Sequence, residues 1–531
     1  MIVDGRVLDA NSTRKTNVCI MGGGVAGLVL AKELAASFKK IIIIESGGEY
    51  YDQETQELYA ASTNNKNYYP NSLYSRLRFL GGSSNHWENN TSPLDPIDFE
   101  KRDWIENSGW PVDYDDVAQH YPAAGEYCGV KDDGYDKKVW SKRLNKEDVF
   151  SNSVSLETGI AKAARPSTRF YNSYGKEIAA LPSIEIITNA NAVDVEFDEN
   201  TKNISKVYFE SIPGIRHEVS TDLCVMCLGG IENARMLLAF NEKYDHRLGN
   251  RYDNVGRYFM DHPVVRAAQF YAHDMSRYTL YKTTDLVDRI VLGFWKLRAD
   301  TLAANKLNNI RMPLVSATNY TMSDGISSHH ILKDALSNGE LPEDFGSHLL
   351  NFVRDFDMVA EAVSRRKFGT KIFDHADEIA AYQMPIMMEQ TPHRDNRIKL
   401  GDSKDRFGIR RIEIEWQLKE DDKEKFWQAL TLVANEVGAN SLGRIRLLQE
   451  RSERIWGDQL GFGHHHMGTT RMCHNYKDGV TDATQKVFGT NNLFVAGSSV
   501  FPTGGHVPPT LTIVAMTIRL AKYISREFAR G

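Results

Sequence analysis

Three consecutive imidazoles, His464, His465 and His466, stand in the run Gly463-His464-His465-His466-Met467-Gly468-Thr469-Thr470, and a fourth, His506, stands in Gly504-Gly505-His506-Val507-Pro508-Pro509-Thr510, just ahead of an apolar helix. An imidazole with an ordinary pKa of about 6.5 is the side chain best suited to take a proton near neutrality. At the other end, Asn17-Val18-Cys19-Ile20-Met21 reads as a buried strand, followed by Gly22-Gly23-Gly24-Val25-Ala26-Gly27 and the helical Leu28 to Leu34. In this spacing Gly22 permits a tight turn, Gly24 lets backbone N–H groups approach a pyrophosphate, and Gly27 lets helix and strand pack closely. The helix N-terminus then faces the phosphates. A second apolar run, Ile41 to Ile44, ends at Glu45, whose carboxylate can accept from ribose hydroxyls and repels a 2′-phosphate. The chain is therefore expected to hold a dinucleotide other than NADP, with FAD and NAD both open. A cofactor cradle and a proton acceptor together point to an oxidoreductase.

Two other patterns resemble sites and read differently. Cys224-Val225-Met226-Cys227 spells C-x-x-C inside an apolar run from Leu223 to Leu228. Residues three apart on a strand face opposite ways, whereas a redox dithiol sits at a helix start, so these cysteines are expected in the core. The histidine triplet suggests a metal, yet no carboxylate or thiolate with ligand spacing accompanies it in the sequence, and no metal is expected.

The elements that must position these groups are spread along 531 residues, more than one core usually supports, so two domains are expected. Nucleotide signals at both ends make one of them discontinuous. The composition, 41% hydrophobic and 25% charged, is that of an ordinary globular protein. A net charge of -6 with no basic stripe argues against nucleic acid. No apolar run reaches the eighteen or so residues of a spanning helix, and the opening Met1-Ile2-Val3-Asp4-Gly5-Arg6 has no leader character. With five cysteines in no paired framework, the expected location is cytoplasmic.

Between the ends, Arg76 to Trp87 is a glycine-rich loop able to lie against a flat ring. Trp104 to Cys128 suggests short surface helices. Ile184 to Phe197 and Lys206 to Phe209 read as strands, and Cys224 to Leu238 as strand, Gly-Gly turn and helix. From Val264 to Trp456 the pattern changes to longer amphipathic and alternating stretches, with a strand at Arg410 to Leu418 and a helix at Asp421 to Val437. The expected cofactor domain is 13–100, 180–263 and 457–531, and the expected substrate domain 101–179 and 264–456.

Taken in order, the fingerprint with Glu45-Ser46-Gly47-Gly48, Gly81 to Trp87, Gly229 to Leu238, Val255 to Pro263, Gly463 to Thr470 and Asn492 to Met516 resemble the glucose-methanol-choline (GMC) oxidoreductase superfamily. Within it the Asn85-His86-Trp87 loop and the His-x-Met-Gly segment are most similar to pyranose oxidases, glycoside oxidases and fructose dehydrogenase. The resemblance implies FAD rather than NAD. It also implies an α/β (α+β overall) fold with a discontinuous Rossmann-like FAD domain and a substrate domain on an antiparallel or mixed sheet. Cofactor contacts are implied at Gly22, Gly24, Gly27, Glu45, Gly82, Ser83, Asn85, His86, Val193, Gly229, Gly497, Ser498, Pro509 and Thr510. His86 matches the position at which some pyranose oxidases attach FAD covalently. Glu88 stands where a small residue is expected, and Ser498 where flavoproteins often hold an acid.

By the same resemblance His465 takes the substrate hydroxyl proton as hydride passes to the flavin. Sugar-oxidising relatives carry Asn directly before Pro-Thr-Leu-Thr; here that place is Pro508, and His506, two residues earlier, is the nearest polar substitute. Two residues of extended chain displace a side chain by about 7 Å. The helix beginning near Pro509 offers an N-terminal dipole that can stabilise reduced flavin. The expected reaction is oxidation of a secondary hydroxyl of a sugar or glycoside to a ketone. A non-sugar alcohol substrate, a redox-silent flavin lyase and a flavin-binding partner protein are the alternatives, while the electron acceptor (oxygen, a quinone or another) and a homo-oligomer stay open.

Overall fold

A computed structural model describes residues 1–63, 69–70, 73–131, 133–339, 341–342, 344–447, 455–457 and 459–529. Two sheets organise it. Thr13–Met21, Ile41–Ile44, Ile184–Thr188 and Ile215–Met226 form a parallel core, ordered Ile184–Thr188, Ile41–Ile44, Thr13–Met21, Ile215–Met226, with Ile2–Asp4 at the outer edge. Val18, Ile20 and Ile41 to Ile44 are almost wholly buried, as parallel strands covered on both faces must be. The helix Val25–Leu34 is the crossover that parallel neighbours require. On its far side Ile215–Met226 pairs antiparallel with Asn203–Ile212 and, at Cys224–Met226, parallel with Leu493–Val495 from the end of the chain.

The last helix, Thr510–Phe528, buries Leu511, Val514, Ala515, Ile518, Ala521 and Ile524, the one-face spacing of an amphipathic helix, and packs along Val25–Leu34. Each buried aliphatic side chain contributes about 1.5–3 kcal/mol. The terminal segments are thus joined in one layer.

Among the described residues the second sheet has ten strands, all antiparallel, with Arg289–Leu297 between Leu156–Ala164 and Ile310–Met312. Its pairings place Lys296 directly opposite Arg311, so both project from one face, and Phe294 two residues away shares it. Asn90–Thr91 joins this sheet at Lys162 and Ala163, and the helix Phe170–Ala180 packs against Val25–Leu34 on the nucleotide side. A three-stranded sheet combines Arg397–Lys404, Arg410–Glu415 and Ala61–Thr63.

The expected strand at Arg410 ends at Glu415, where the chain leaves its pairing with Arg397–Lys404, and the expected helix runs Glu420–Ala439. Cys224 lies on Ile215–Met226 and Cys227 just beyond it, both buried, and burial pushes the Cys224 thiol up to about 12. Neither has the lowered pKa of a redox thiol. Among the described residues no helix is long and apolar enough to cross a membrane.

Candidate active site

The glycine turn divides its work among three positions. Gly22 has φ +104°, and a Cβ there would stand 2.6 Å from the Cys227 carbonyl oxygen. At Gly27 a Cβ would stand 1.9 Å from the Gly22 carbonyl oxygen, so that glycine sets how close the helix approaches the strand. Gly24, which begins the helix, faces open space, with no atom within 4 Å of a built Cβ, and no side chain caps the helix start. Gly229 is equally open, and Gly497 has only the Asn233 amide nitrogen at 3.9 Å. Gly24, Gly229 and Gly497 follow the C-terminal ends of three adjacent parallel strands, the edge where open α/β sheets bind ligands. A crevice with uncapped amides and no side chains is a fit for the pyrophosphate of FAD.

Glu45 ends the second strand with one carboxylate oxygen accepting from Gly23 N at 2.6 Å and the other from Gly47 N at 2.8 Å. It holds the glycine turn in place and retains lone pairs for ribose hydroxyls. The loop after Leu80 lies on this turn: Gly81 N donates to the Gly23 carbonyl, and a Cβ on Gly82 would meet Gly24 Cα at 3.3 Å. Asn85 is spent on the Leu80 and Gly82 carbonyls, and Ser83 accepts from Leu77 N. His86 lies at the end of the loop, its pKa lowered by its partial burial and by His464. Val193 occupies an irregularity in the Asn191–Asp198 strand, where the pairing skips from Ala192 to Asp194. Ser498 donates to the His466 carbonyl at 2.6 Å. Pro509 precedes Thr510, whose helix start has no side-chain cap and no acid in its first turn.

The antiparallel bridge between Met260 and Met467 lays the histidine triplet against Asp261 and His262. One Asp261 oxygen accepts from the backbone N–H of both His262 and His465 at 2.7 Å, and the other from the Tyr69 hydroxyl at 2.8 Å. A carboxylate therefore does accompany the triplet, contrary to the expectation from sequence spacing: potential ligand atoms of Asp261, His464 and His466 lie within 4.8 Å of one another. The chain reversal that brings Asp261 here is a tertiary feature, and the acid already serves three donors. His464, at φ +55°, is exposed, whereas His466 is buried with its Nε2 unpartnered among the described residues.

His262 Nδ1 lies 2.8 Å from His465 Nδ1, and His262 Nε2 lies 2.9 Å from the Gly505 carbonyl oxygen. A carbonyl only accepts, so His262 carries its proton on Nε2 and presents a lone pair at Nδ1. His465 must then donate from Nδ1. With both rings neutral, the lone pair of His465 is left on Nε2, the nitrogen free to receive a proton. Burial keeps them neutral: it pushes His262 down to about 4 and His465 well below the ordinary value, the latter helped by His262 and His466.

Among the described residues no hydrogen bond joins His506 to His465. Its ring is buried 5.9 Å from that of Phe294, its Nε2 is 3.9 Å from Asp95, and neither nitrogen has a hydrogen-bond partner among the described residues. Burial pushes it down to about 3, so it is neutral. Around it Asp95 pairs with Lys296 at 2.6 Å, and Glu389 binds Arg102 through both oxygens at 2.8 and 2.6 Å. His262 and Asp261 were not singled out as functional by sequence reasoning. Both lay in a recognised segment.

Residues 392–517 match the family model described as GMC oxidoreductase. The chain is 23% identical over 592 residues to the 2-methyl-1,2-propanediol dehydrogenase of Mycolicibacterium austroafricanum, covering 98% of this chain and 96% of that protein. It is 21% identical over 603 residues to the fructose dehydrogenase large subunit of Gluconobacter japonicus, covering 98% and 100%. A solved structure of Aspergillus oryzae RIB40 formate oxidase, concerned with modification of its FAD, aligns with a TM-score of 0.56 at 15% identity over 98% of this chain and 99% of that one. That likeness speaks to the fold.

Proposed function

Because this chain is a GMC-type oxidoreductase that uses FAD and acts on CH–OH groups, we propose that it oxidises a secondary hydroxyl of a sugar or glycoside to the ketone, with His465 Nε2 receiving the hydroxyl proton. FAD, when bound, supplies the acceptor for the hydride. Gly24, Gly229 and Gly497 would leave room for its pyrophosphate, Glu45 would face its ribose, and the uncapped start of Thr510–Phe528 would face negative charge.

The observation that carries the reading is the contact chain from the Gly505 carbonyl through His262 to His465 Nδ1, from which the tautomer of His465 follows. Gly505 dictates the proton position on His262, His262 dictates that on His465, and Asp261 holds both backbones. An imidazole so oriented needs no rearrangement before it accepts a proton.

Similarity to a fructose dehydrogenase subunit over nearly the whole chain supports a sugar. Similarity to a 2-methyl-1,2-propanediol dehydrogenase over the same span favours, as a second reading, a small non-sugar alcohol. The test is an absorption spectrum of the purified yellow protein under nitrogen, with pyranoses, glycosides and D-fructose added separately and 2-methyl-1,2-propanediol as comparison. Bleaching by sugars is the expected result; bleaching by the diol alone establishes the second reading, and a flavin that nothing bleaches discards both.

A further inference from the structure

The chain leaves the second sheet after Val315–Thr318 and returns to it at Ile379–Met388, the strand with which Val315–Thr318 pairs. Residues 319–378 between them form a helical excursion, in which Asp324–Asn338 and Phe345–Arg354 pack side by side. Phe345–Arg354 is amphipathic in the inverse sense. The face it turns to its neighbour is polar: His348 Nδ1 and the Asn351 amide reach the Ser328 hydroxyl at 3.1 and 3.3 Å, and Asp355, just past its end, accepts from the Ser323 hydroxyl and Gly325 N. Its other face carries Phe345, Leu349, Leu350 and Val353, the spacing of one apolar stripe, and none of the helix is buried. Leu350 is 68% and Val353 63% exposed, and Phe356, which opens the next helix, 60%.

A surface helix ordinarily turns its apolar stripe inward. Single exposed apolar residues are common, but these five side chains, at roughly 100 Å² each, make a contiguous patch on the order of 500 Å², the size that marks a contact surface. Charge identifies the occupant. Residues 319–378 carry eleven acidic against six basic side chains, which disfavours an anionic lipid surface. At the two ends of the stripe Asp344 and Arg354 are exposed, and neither has an ion-pair partner among the described residues. Laid antiparallel on a copy of itself, about a two-fold axis between Leu349 and Leu350, the helix brings each Asp344 to the Arg354 end of the other and opposes the two helix dipoles. The same pairing sets Val353 against Gly346, which lies in the stripe with no atom within 4 Å of a built Cβ. Packing within the chain does not require that glycine, and a helix is weakened by one; a closely approaching neighbour does use it.

We propose that this face is a dimer interface, in which Phe345–Arg354 packs against the same helix of a second copy. Two such patches together remove about 1,000 Å² from water, the low end of specific association, so the dimer is reversible and of micromolar strength. Such pairing is independent of the substrate that the flavin oxidises.

Sedimentation velocity of the FAD-loaded full chain from roughly 1 to 100 µM tests it. The wild type is expected to pass from monomer to dimer over that range. Leu349→Glu, which sets like charges against each other near the axis, is expected to raise Kd by at least about 100-fold with flavin content and melting temperature unchanged. Asp344→Arg alone should raise Kd by about tenfold, and Asp344→Arg combined with Arg354→Asp should restore it, a reversal that unspecific apolar contact does not show. A chain that stays monomeric at about 100 µM overturns the proposal. So does a dimer that Leu349→Glu leaves intact, an Asp344→Arg variant that associates as tightly as the wild type, or a double reversal that restores nothing. A monomer that floats with phosphatidylcholine–phosphatidylserine vesicles, and no longer does so as Leu349→Glu, assigns the face to lipid and overturns it as well.

Discussion

The Nδ1 atoms of His262 and His465 face each other at 2.8 Å, and the outer nitrogen of His262 is tied to a backbone carbonyl that cannot change its protonation. Two residues far apart in sequence therefore share one proton whose place is settled by the fold. His465→Ala is expected to lower the rate of flavin reduction by about 10²–10⁴-fold, the usual contribution of a positioned proton acceptor, with flavin content unchanged. Stopped-flow absorbance checks both at once.

His262→Leu removes the acceptor for His465 Nδ1–H and frees the ring to take the other tautomer. We expect kcat to fall by about 100-fold while substrate binding changes little, because a wrong tautomer costs catalysis and not affinity. His262→Gln keeps an acceptor oxygen and should recover part of the loss. Equal damage to KM and kcat in both variants would point to general misfolding of the site.

The pH profile should reflect the buried environment. A proton acceptor works in its neutral form, and burial moves His465 well below 6.5. The profile of kcat/KM is then expected to be flat from pH 8 through 6.5 and to decline only in more acidic solution. A midpoint at or above 6.5 would contradict the assignment of His465 as a desolvated base.

Stability should follow pH for a related reason. His262, at about 4, and His506, at about 3, refuse protons in the folded protein that the unfolded chain takes up at about 6.5. At pH 7 neither matters; as pH drops below 6.5, each removes up to about 1.4 kcal/mol of stability per pH unit until its folded value is reached. Asp98, held up to about 7 by burial and by Glu389, acts in the opposite sense between 7 and its unfolded value near 4, offsetting one of the two. Lowered His465 and His466 restore the balance toward acid loss. Urea midpoints at pH 7.5 and 5.5 should show the lower stability at 5.5.

Gly24 and Gly27 should respond differently to alanine. At Gly24 the Cβ meets no protein atom and φ is -80°, so the variant should fold with an unchanged melting temperature and purify without flavin. At Gly27 the Cβ collides with the Gly22 carbonyl oxygen, and the variant should be destabilised by about 1–3 kcal/mol, the usual effect of overpacking. Thermal unfolding together with flavin absorbance separates the two.

The nucleotide half was legible because its signals are local. Glycine spacing, an all-isoleucine strand and an acid at its end need no tertiary information, and Gly22, Gly24 and Gly27 are respectively strained, open and tightly packed. The imidazole of His465 was legible as a type but not as an arrangement: its partner His262 arrives through the Met260–Met467 bridge, which no spacing rule describes. Of the segment around His506, it is the Gly505 carbonyl that bonds His262, a backbone contact that residue types in the sequence do not announce.

The parallel layer is completed by Leu493–Val495, which pairs with Cys224–Met226 only after the antiparallel sheet has been synthesised between them. Without that late segment the edge of Cys224–Met226 is unpaired and the third side of the nucleotide crevice, at Gly497, is missing. A polypeptide stopped short of Leu493 would lack the partner of Cys224–Met226, Gly497 and the helix that packs on Val25–Leu34, so the cofactor half and the histidine site would be lost together.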